Sequence, residues 1–381
     1  MTLMTMTNDA KHSGGHATKR ADRIEKQDHF AYRHTPEVAE FLEAIGASIL
    51  VSTYQAGKLV VFRSHQNKLS LLPRSYDRAM GIAVAPGRLA IASKFQIWTL
   101  HNSPSVAKKL NESDEFKSER PYDACFMPRT SHVTGNIDTH EIAWGKGEDE
   151  LWVVNTHFSC LCTLDSKFSF VPRWRPPFIS EITRGDRCHL NGMAMENGLP
   201  RFVTVFGRTD SKEGWREGKL SCGCVLDVSS GETVTTGLSM PHSPRLHDGK
   251  LWVLESGNGR LLTVDVESGQ TETVVELPGY TRGLAFAGRY ALIGLSQIRE
   301  TAVFGGVSVA EKYPDRPSGV AIVDTIAGRQ VGLIEFLADV REVFDVQLLS
   351  DATWPAVISL EKDLVQHASV VGPEQPMPDR F

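Results

Sequence analysis

Short runs of alternating apolar and polar residues, separated by glycine-containing turns, recur along most of the chain. The stretch "HSPRLHDGKLWVLESGNGRLLTVD", residues 242–265, follows the order strand, turn, strand, turn, strand. Its turns contain Asp248-Gly249 and Gly257-Asn258-Gly259, and Gly and Asn favour tight turns because they tolerate positive φ. Alternation with a period of two predicts half-buried β-strands.

The same unit recurs in copies of about 40 to 60 residues, a spacing that indicates the blades of a β-propeller. The inner strands of the copies are predicted to begin near residues 80, 140, 191, 242, 282 and 344. The sequence therefore predicts an all-β, six-bladed β-propeller. Seven blades remain an alternative, because residues 102–137 are long and poorly patterned. N-terminal and C-terminal strands are predicted to close the ring together, which leaves no free sheet edge.

A single propeller domain is predicted over residues 35–365, with a disordered polar tail at 1–34 and a C-terminal tail at 366–381. The N-terminal segment is polar and of mixed charge, a composition that buries too little apolar surface to fold. A helix is expected only in "TPEVAEFLEAIGAS", where Thr35 can cap the start and Gly46 can end the helix.

Composition and charge narrow the expected partners. The 381 residues carry a net charge of −5, which argues against binding to nucleic acid or to an anionic membrane surface. No apolar run reaches about 18 residues, the length that a membrane span needs, and the N-terminus lacks the apolar part of an export signal. A cytoplasmic protein is expected. Its six cysteines are interpreted as small buried strand residues.

Five segments carry a resemblance to an uncharacterised family of bacterial propeller proteins. They read "DTHEIAWG", "LWVVNTHFSCLCTLD", "DRCHLNGMAM", "LSMPHSPRLHDGKLWVLESGNG" and "LPGYTRGLAFAG". This resemblance implies the fold and assigns no reaction. A weaker similarity, carried by "NGMAM" and "HDGKLWVLESGNGRLLTVD", is to the six-bladed gluconolactonase, regucalcin and luciferin-regenerating-enzyme group.

Alignment of the copies on their second strands places one residue of each inner strand at a common position, here called the slot. The slot residues are Met80, His140, Asn191, His242 and Arg282, with Phe344 or Asp345 in the sixth copy. Inner strands line the central channel of a propeller. The slot therefore predicts two imidazoles, a carboxamide and a guanidinium around one axis.

A metal at the channel mouth is what the weaker resemblance implies. The gluconolactonase-like group holds a divalent metal there with a Glu, an Asn and an Asp. His140 stands where the Glu would lie, Asn191 matches the Asn, and His242 stands where the Asp would lie. Imidazoles favour a divalent transition metal such as zinc, iron or copper over calcium. His189 is a further candidate ligand. The competing interpretation is a wet channel whose polar residues only coordinate water.

Arg282 and Glu255 are candidates for a catalytic role. The guanidinium of Arg282 would repel a bare cation but suits the carboxylate or phosphate of an anionic substrate. Alternatively, Arg282 pairs with Asp345 in a structural ion pair. Glu255, at the end of a second strand, is a candidate general base or a partner of a ligating histidine. A solvated or turn-capping role is the alternative for Glu255.

Long inserts at 102–138, 173–188, 207–219 and 296–318 are predicted to rise around the slot on one face, as loops over a pocket do. The predicted function is a metal-dependent enzyme acting on a small polar, anionic organic substrate, with hydrolase, lyase and oxygenase chemistry left open. The alternative is a non-catalytic propeller that binds a protein or peptide on this face. A third hypothesis is a metal-free sensor of an anion centred on Arg282.

Overall fold

A computed structural model describes residues 30–116, 118–297, 306–360 and 368–373. Within these ranges lie three α-helices, α1 (Pro36–Ile45), α2 (Pro104–Glu112) and α3 (Ser308–Lys312). The first thirteen strands are β1 (Tyr32–His34), β2 (Ser48–Thr53), β3 (Lys58–His65), β4 (Lys68–Ser75), β5 (Ile82–Ala85), β6 (Arg88–Ala92), β7 (Gln96–Asn102), β8 (Ala124–Val133), β9 (Thr139–Trp144), β10 (Leu151–Asn155), β11 (Cys160–Asp165), β12 (Phe168–Trp174) and β13 (Leu190–Glu196).

The remaining strands are β14 (Leu199–Val205), β15 (Gly223–Asp227), β16 (Thr233–Leu238), β17 (Pro241–His247), β18 (Lys250–Glu255), β19 (Arg260–Val264), β20 (Thr271–Glu276), β21 (Tyr280–Ala287), β22 (Tyr290–Ser296), β23 (Ser318–Asp324), β24 (Arg329–Phe336), β25 (Asp345–Leu349) and β26 (Pro355–Val357). Two 3₁₀ turns lie at Gly214–Arg216 and Ser256–Asn258.

Six sheets are arranged as the blades of a β-propeller, which confirms the predicted fold and blade number. Blades 1 to 5 are built in chain order from β5–β8, β9–β12, β13–β16, β17–β20 and β21–β24. Blade 6 combines β25 with β2, β3 and β4. Apolar side chains of neighbouring blades pack face to face: Val51 and Phe62 of blade 6, for example, share a buried cluster with Ile322 of blade 5.

The ring closes by pairing between the two ends of the chain, as predicted. Inner strand β25 pairs antiparallel with β2, from Ser48 opposite Leu349 to Ser52 opposite Asp345. Every residue of β2 is buried, because this strand lies between two others and both of its faces pack against other parts of the protein. The N-terminal strands therefore supply three of the four strands of blade 6.

Two short strands extend blades beyond four strands. Strand β1 pairs with β24 at the outer edge of blade 5, so the sheet begins inside the segment that the sequence assigned to the N-terminal tail. Strand β26 pairs in parallel with β8 of blade 1. Each addition covers an outer strand edge that would otherwise present unpaired backbone groups.

Helix α1 lies where it was predicted, and Gly46 ends it in the left-handed region with φ of 62°. The hydroxyl of Thr35 makes no capping bond there. It accepts instead from the backbone N–H of Leu333, at 3.2 Å. The expectation that helix occurs only in this segment is wrong, because α2 and α3 form within two of the long inserts.

Four of the six cysteines, Cys125, Cys160, Cys162 and Cys224, are buried strand residues as expected. Cys188 is buried in a loop and Cys222 is exposed in a loop, so the interpretation is wrong for these two. No helix among the described residues is long and apolar enough to cross a membrane.

Closure through β2 predicts that a small cavity in this strand destabilises the whole ring. We expect Val51→Ala, at a fully buried position, to lower the free energy of unfolding by about 2 kcal/mol because it leaves a cavity between blades 5 and 6. Val266→Ala removes the same atoms from a side chain that is 48% exposed. It should change the free energy of unfolding by less than about 0.5 kcal/mol. Urea denaturation of both variants measures the difference, and equal effects would contradict closure by a packed β2.

Candidate functional site

The slot residues of blades 1 to 4 share one local backbone feature. Two positions before each of them stands a residue in the left-handed region of φ/ψ space, where non-glycine residues are uncommon. These residues are Arg78, Asp138, His189 and Met240, with φ of 51°, 54°, 50° and 49°. In blades 2, 3 and 4 the carbonyl of that residue accepts a hydrogen bond from the slot side chain. The predicted common register therefore corresponds to a common geometry in three successive blades.

His140 and His242 are held by matching pairs of hydrogen bonds. Nδ1 of His140 lies 3.1 Å from the carbonyl of Asp138 and 2.9 Å from the hydroxyl of Thr156. Nδ1 of His242 lies 3.0 Å from the carbonyl of Met240 and 2.8 Å from the hydroxyl of Ser256. A carbonyl oxygen only accepts, so Nδ1 must carry the hydrogen in both rings.

The two hydroxyls act as acceptors toward the histidines because their own hydrogens are already engaged. Thr156 donates to the carbonyl of Leu190 at 2.6 Å, and Ser256 donates to the carbonyl of Thr281 at 2.6 Å. Each neutral imidazole therefore keeps its lone pair on Nε2, on the far side of the ring. No described residue forms a hydrogen bond with either Nε2.

Nδ1 is also the hydrogen-bond donor in His189, but its acceptor is a carboxylate and not a carbonyl. Its Nδ1 donates to Oδ2 of Asp186 at 2.9 Å, and the same oxygen accepts from Nε1 of Trp215 at 3.1 Å. The imidazole lies between two aromatic rings, with centroid distances of 4.3 Å to Phe206 and 4.4 Å to Trp215. Three histidines of the site thus present an open Nε2.

These side chains lie close together at one end of the channel. The His140 and His189 rings are nearly perpendicular, with centroids 4.8 Å apart. Phe206, already in contact with His189, lies 5.1 Å from His242. Asn191 donates from Nδ2 to the carbonyl of His189 at 3.1 Å, and its Oδ1 accepts from the hydroxyl of Thr204 at 2.8 Å. One lone pair of that amide oxygen remains.

Burial keeps the two slot histidines neutral. His140 is 9% exposed and His242 is 3% exposed. Burial, reinforced by the positive charge of Arg282, lowers the pKa of His140 to about 3, although Asp138 opposes the change. The same causes lower the pKa of His242 well below its usual value. Both rings therefore have an unprotonated Nε2 at neutral pH.

Arg282 reaches the site from blade 5, but it does not pair with Asp345, the partner that the sequence suggested as an alternative. Its Nη1 lies 3.5 Å from Oε1 of Glu342, and its guanidinium carbon lies 3.4 Å from the centroid of the Phe344 ring. The carboxylate of Asp345 accepts instead from the backbone N–H of Ile82 and of its neighbour Val346, both at 2.8 Å. The suggested Arg282–Asp345 ion pair is therefore wrong, since backbone donors use that carboxylate.

Glu255 is not brought to the slot by any contact among the described residues. Its Oε1 accepts from the backbone N–H of Ser239 at 3.1 Å, and Oε2 lies 3.7 Å from Arg260. The neighbouring Ser256 is the residue that contacts His242. The sequence contained this signal, because Ser256 follows Leu251 by five positions, as Thr156 follows Leu151.

A pocket of about 390 Å³ opens beside the channel mouth. His189 is the one member of the three histidines that lines it, together with Asp186 and Trp215. Its wall carries three cationic side chains, Arg184, Lys212 and Arg216, and three carboxylates, Asp138, Asp186 and Glu213. The three cationic residues come from two of the inserts that were predicted to rise around the slot. Asp186 was missed at the sequence level, because loop residues follow no repeat register.

One residue beyond His140 on the same inner strand lies a buried ion pair that sequence reasoning also missed. Glu141 of blade 2 pairs with Arg245 of blade 4 and accepts from the backbone N–H of Met193 in blade 3 at 2.9 Å. Arg245 also donates from Nε to the carbonyl of Leu284 in blade 5 at 2.9 Å. Burial raises the pKa of Glu141 to about 7, against the opposing effect of Arg245.

The donor set fits a transition metal in part. Two neutral imidazoles, those of His140 and His242, with an open Nε2 and a fixed Nδ1–H have the form that metal-ligating histidines take. In the described part of the chain, however, no three side chains of His, Cys, Asp or Glu are grouped so that they could hold a metal ion. A metal would therefore rely on His140 and His242, on the amide oxygen of Asn191, and on ligands from outside the chain.

The neutral histidines predict a stability that falls in acid. Between the ordinary histidine pKa of 6.5 and the lowered value of about 3, the unfolded chain binds a proton at this position that the folded protein does not. Stability is thus lost as the pH falls below 6.5. Between about pH 7.5 and about pH 5, His140 alone should lower the free energy of unfolding by about 2 kcal/mol. In His140→Gln the loss over this range should be smaller by that amount.

Urea denaturation at the two pH values, in the presence of a chelator, checks this expectation. Glu141 affects the stability in the opposite direction, because a group with a raised pKa stabilises the folded protein as the pH falls. Both the parent and His140→Gln contain Glu141, so its effect cancels in the comparison. His101→Gln, at an exposed position, is the control and should lose as much stability as the parent. An identical loss in His140→Gln would contradict a neutral buried His140.

Comparisons with known proteins agree with this fold. No curated protein matches the chain in sequence. Among solved structures, the chain is similar to one in the crystal structure of a nidogen/laminin complex, with 10% sequence identity and a TM-score of 0.51 over 80% of this chain and 98% of that one. At that identity the likeness shows the propeller fold alone. A family model described as "Domain of unknown function (DUF4915)" matches residues 36–358, and the chain therefore belongs to this family.

Proposed function

We propose that the protein is a metal-dependent enzyme that acts on a small polar, anionic organic substrate at the mouth of the central channel. The observation that carries this proposal is the fixed Nδ1–H of His140 and His242, which leaves two Nε2 lone pairs open in the channel beside His189. Holding two neutral imidazoles in fixed orientations costs conformational freedom and buried polar contacts. A purely structural channel has no need of them.

His140 and His242 are the proposed first ligands of a divalent transition metal, zinc, iron or copper. Asn191 would add its amide oxygen, and His189 is a further candidate. Thr156 and Ser256 would orient the two slot imidazoles through Nδ1, as hydrogen-bonding partners of ligating histidines do. When bound, such a metal polarises a carbonyl or activates water or oxygen. Hydrolase, lyase and oxygenase chemistry all remain compatible with this arrangement.

The other residues of the site suit substrate binding. Arg282 provides the positive charge that favours an anion. The pocket beside His189 provides an approach from solvent. Asp186 and Trp215 fix the imidazole that faces this approach. The alternative, a non-catalytic propeller that binds a protein or peptide on this face, requires none of these buried groups.

Metal content gives the first test. We expect the protein, purified without a chelator or an affinity nickel column, to contain a transition metal by elemental analysis. His242→Gln should lose most of it, because one imidazole ligand is removed. His247→Gln is a matched control at the other end of the same strand, β17, and should keep the parental metal content. Parental metal in His242→Gln, or no metal in the parent under any condition, would favour the binding-module alternative.

Orientation through Ser256 gives a second test. Ser256→Ala removes the hydroxyl that accepts from Nδ1 of His242 while leaving Nε2 in place. We expect metal affinity to fall by about 10-fold, the lower end of the range for such partners. The exposed Ser221→Ala is the control. Competition with a fluorescent metal chelator measures both variants, and an unchanged affinity in Ser256→Ala would argue against metal binding through His242.

A further inference from the structure

The guanidinium of Arg282 has a hydrogen-bond donor that the protein does not use. Arg282 is 8% exposed, and its Nη2 is buried without a hydrogen-bond partner among the described residues. The ion pair of Nη1 with Glu342 is long, at 3.5 Å. A buried ionic donor without an acceptor is costly. The site is therefore suited to a ligand that brings an acceptor oxygen to Nη2.

The histidines beside Arg282 impose the opposite requirement. Nδ1 of His140 and of His242 donates within the protein, so each open Nε2 is an acceptor. Acceptors of this kind attract an O–H or N–H group and repel the oxygens of a fully ionised anion. One buried positive charge together with two acceptors suits a single carboxylate with a nearby donor. It suits inorganic phosphate less well, because the dianion brings two negative charges to one buried guanidinium.

Aromatic rings supply most of the remaining surroundings. Tyr54 stacks on Phe344 with centroids 5.5 Å apart and an interplanar angle of 15°, and Phe344 also carries the guanidinium of Arg282. Phe206 and Tyr280 lie 5.1 Å and 5.6 Å from the ring of His242. Such surroundings favour a flat apolar body, since aromatic pairs add to the energy of area burial.

We propose that the ligand of this site is a small aryl carboxylate that also carries a hydroxyl or amine donor. Its carboxylate pairs with Nη2 of Arg282, and in the metal-free protein its donor bonds to an open Nε2 of His140 or His242, an atom that a bound metal would otherwise occupy. The inference deepens the proposed function and rests on the same site. It concerns the protein's own donors and acceptors, so it can be tested with the metal removed.

Isothermal titration of chelator-treated protein with four probes tests the proposal. Mandelate has both the carboxylate and the hydroxyl. Phenylacetate lacks the hydroxyl, 2-phenylacetamide lacks the charge, and inorganic phosphate has the charge without the aryl group. We expect mandelate to bind most tightly, phenylacetate more weakly, and the amide and phosphate not measurably. Arg282→Gln should weaken mandelate by about 10-fold to 100-fold, the scale of a hydrogen bond to a charged group.

Arg282→Lys keeps the charge and should retain part of the affinity, so it replaces Arg282→Gln if that variant fails to fold. Arg289→Gln, whose side chain is 51% exposed, is the matched control and should bind like the parent. Equal binding of mandelate and 2-phenylacetamide, tighter binding of phosphate, parental affinity in the Arg282 variants, or no binding of any probe would overturn the proposal. If the purified protein contains a metal but mandelate does not bind, this inference is overturned and the proposed function stands. If mandelate binds but the purified protein contains no metal, only the metal proposal is refuted.

Discussion

Closure of the ring by strand β2 is the constraint on which the rest of the structure depends. The inner strand of blade 6 comes from the C-terminal part of the chain, and three N-terminal strands hold it in place. The backbone N–H of Phe344 donates to the carbonyl of Ser52 at 2.8 Å. Phe344 in turn supports the guanidinium of Arg282 and contacts the ring of His140. The most distant parts of the sequence therefore shape the channel mouth together.

Two groups of buried polar side chains in the channel differ in how completely they are satisfied. Glu141 and Arg245 pair directly and also bond to the backbones of blades 3 and 5. His140 and His242 keep an open acceptor, and Arg282 keeps an open donor. Buried polar groups are normally paired, so each departure from that rule calls for an explanation. A ligand among the histidines and Arg282 would supply one.

Much of this could be predicted from the sequence, because each blade repeats one pattern. Aligning the second strands was enough to identify His140, Asn191 and His242 as equivalent, since turn chemistry and strand period fix the register. The residues that bond to the histidines and to Arg282 were harder to predict. Thr156 and Ser256 lie at matching positions, but a hydroxyl alone predicts nothing. Asp186 and Trp215 come from two different loops, and Glu342 precedes a strand, so no periodicity indicates which side chains they reach. Helices α2 and α3 were missed because they interrupt the repeats as insertions.

The hydroxyls that hold the slot histidines also cross between blades. Thr156 belongs to blade 2 and donates to Leu190 in blade 3, while Ser256 belongs to blade 4 and donates to Thr281 in blade 5. Hydrogen bonds in a chain polarise and strengthen one another. A group that binds Nε2 makes Nδ1–H a better donor, which strengthens the bond to the hydroxyl and then the bond to the next blade. The Nε2 atoms that face the channel mouth and the hydrogen bonds between neighbouring blades are thus parts of the same two chains of polar groups.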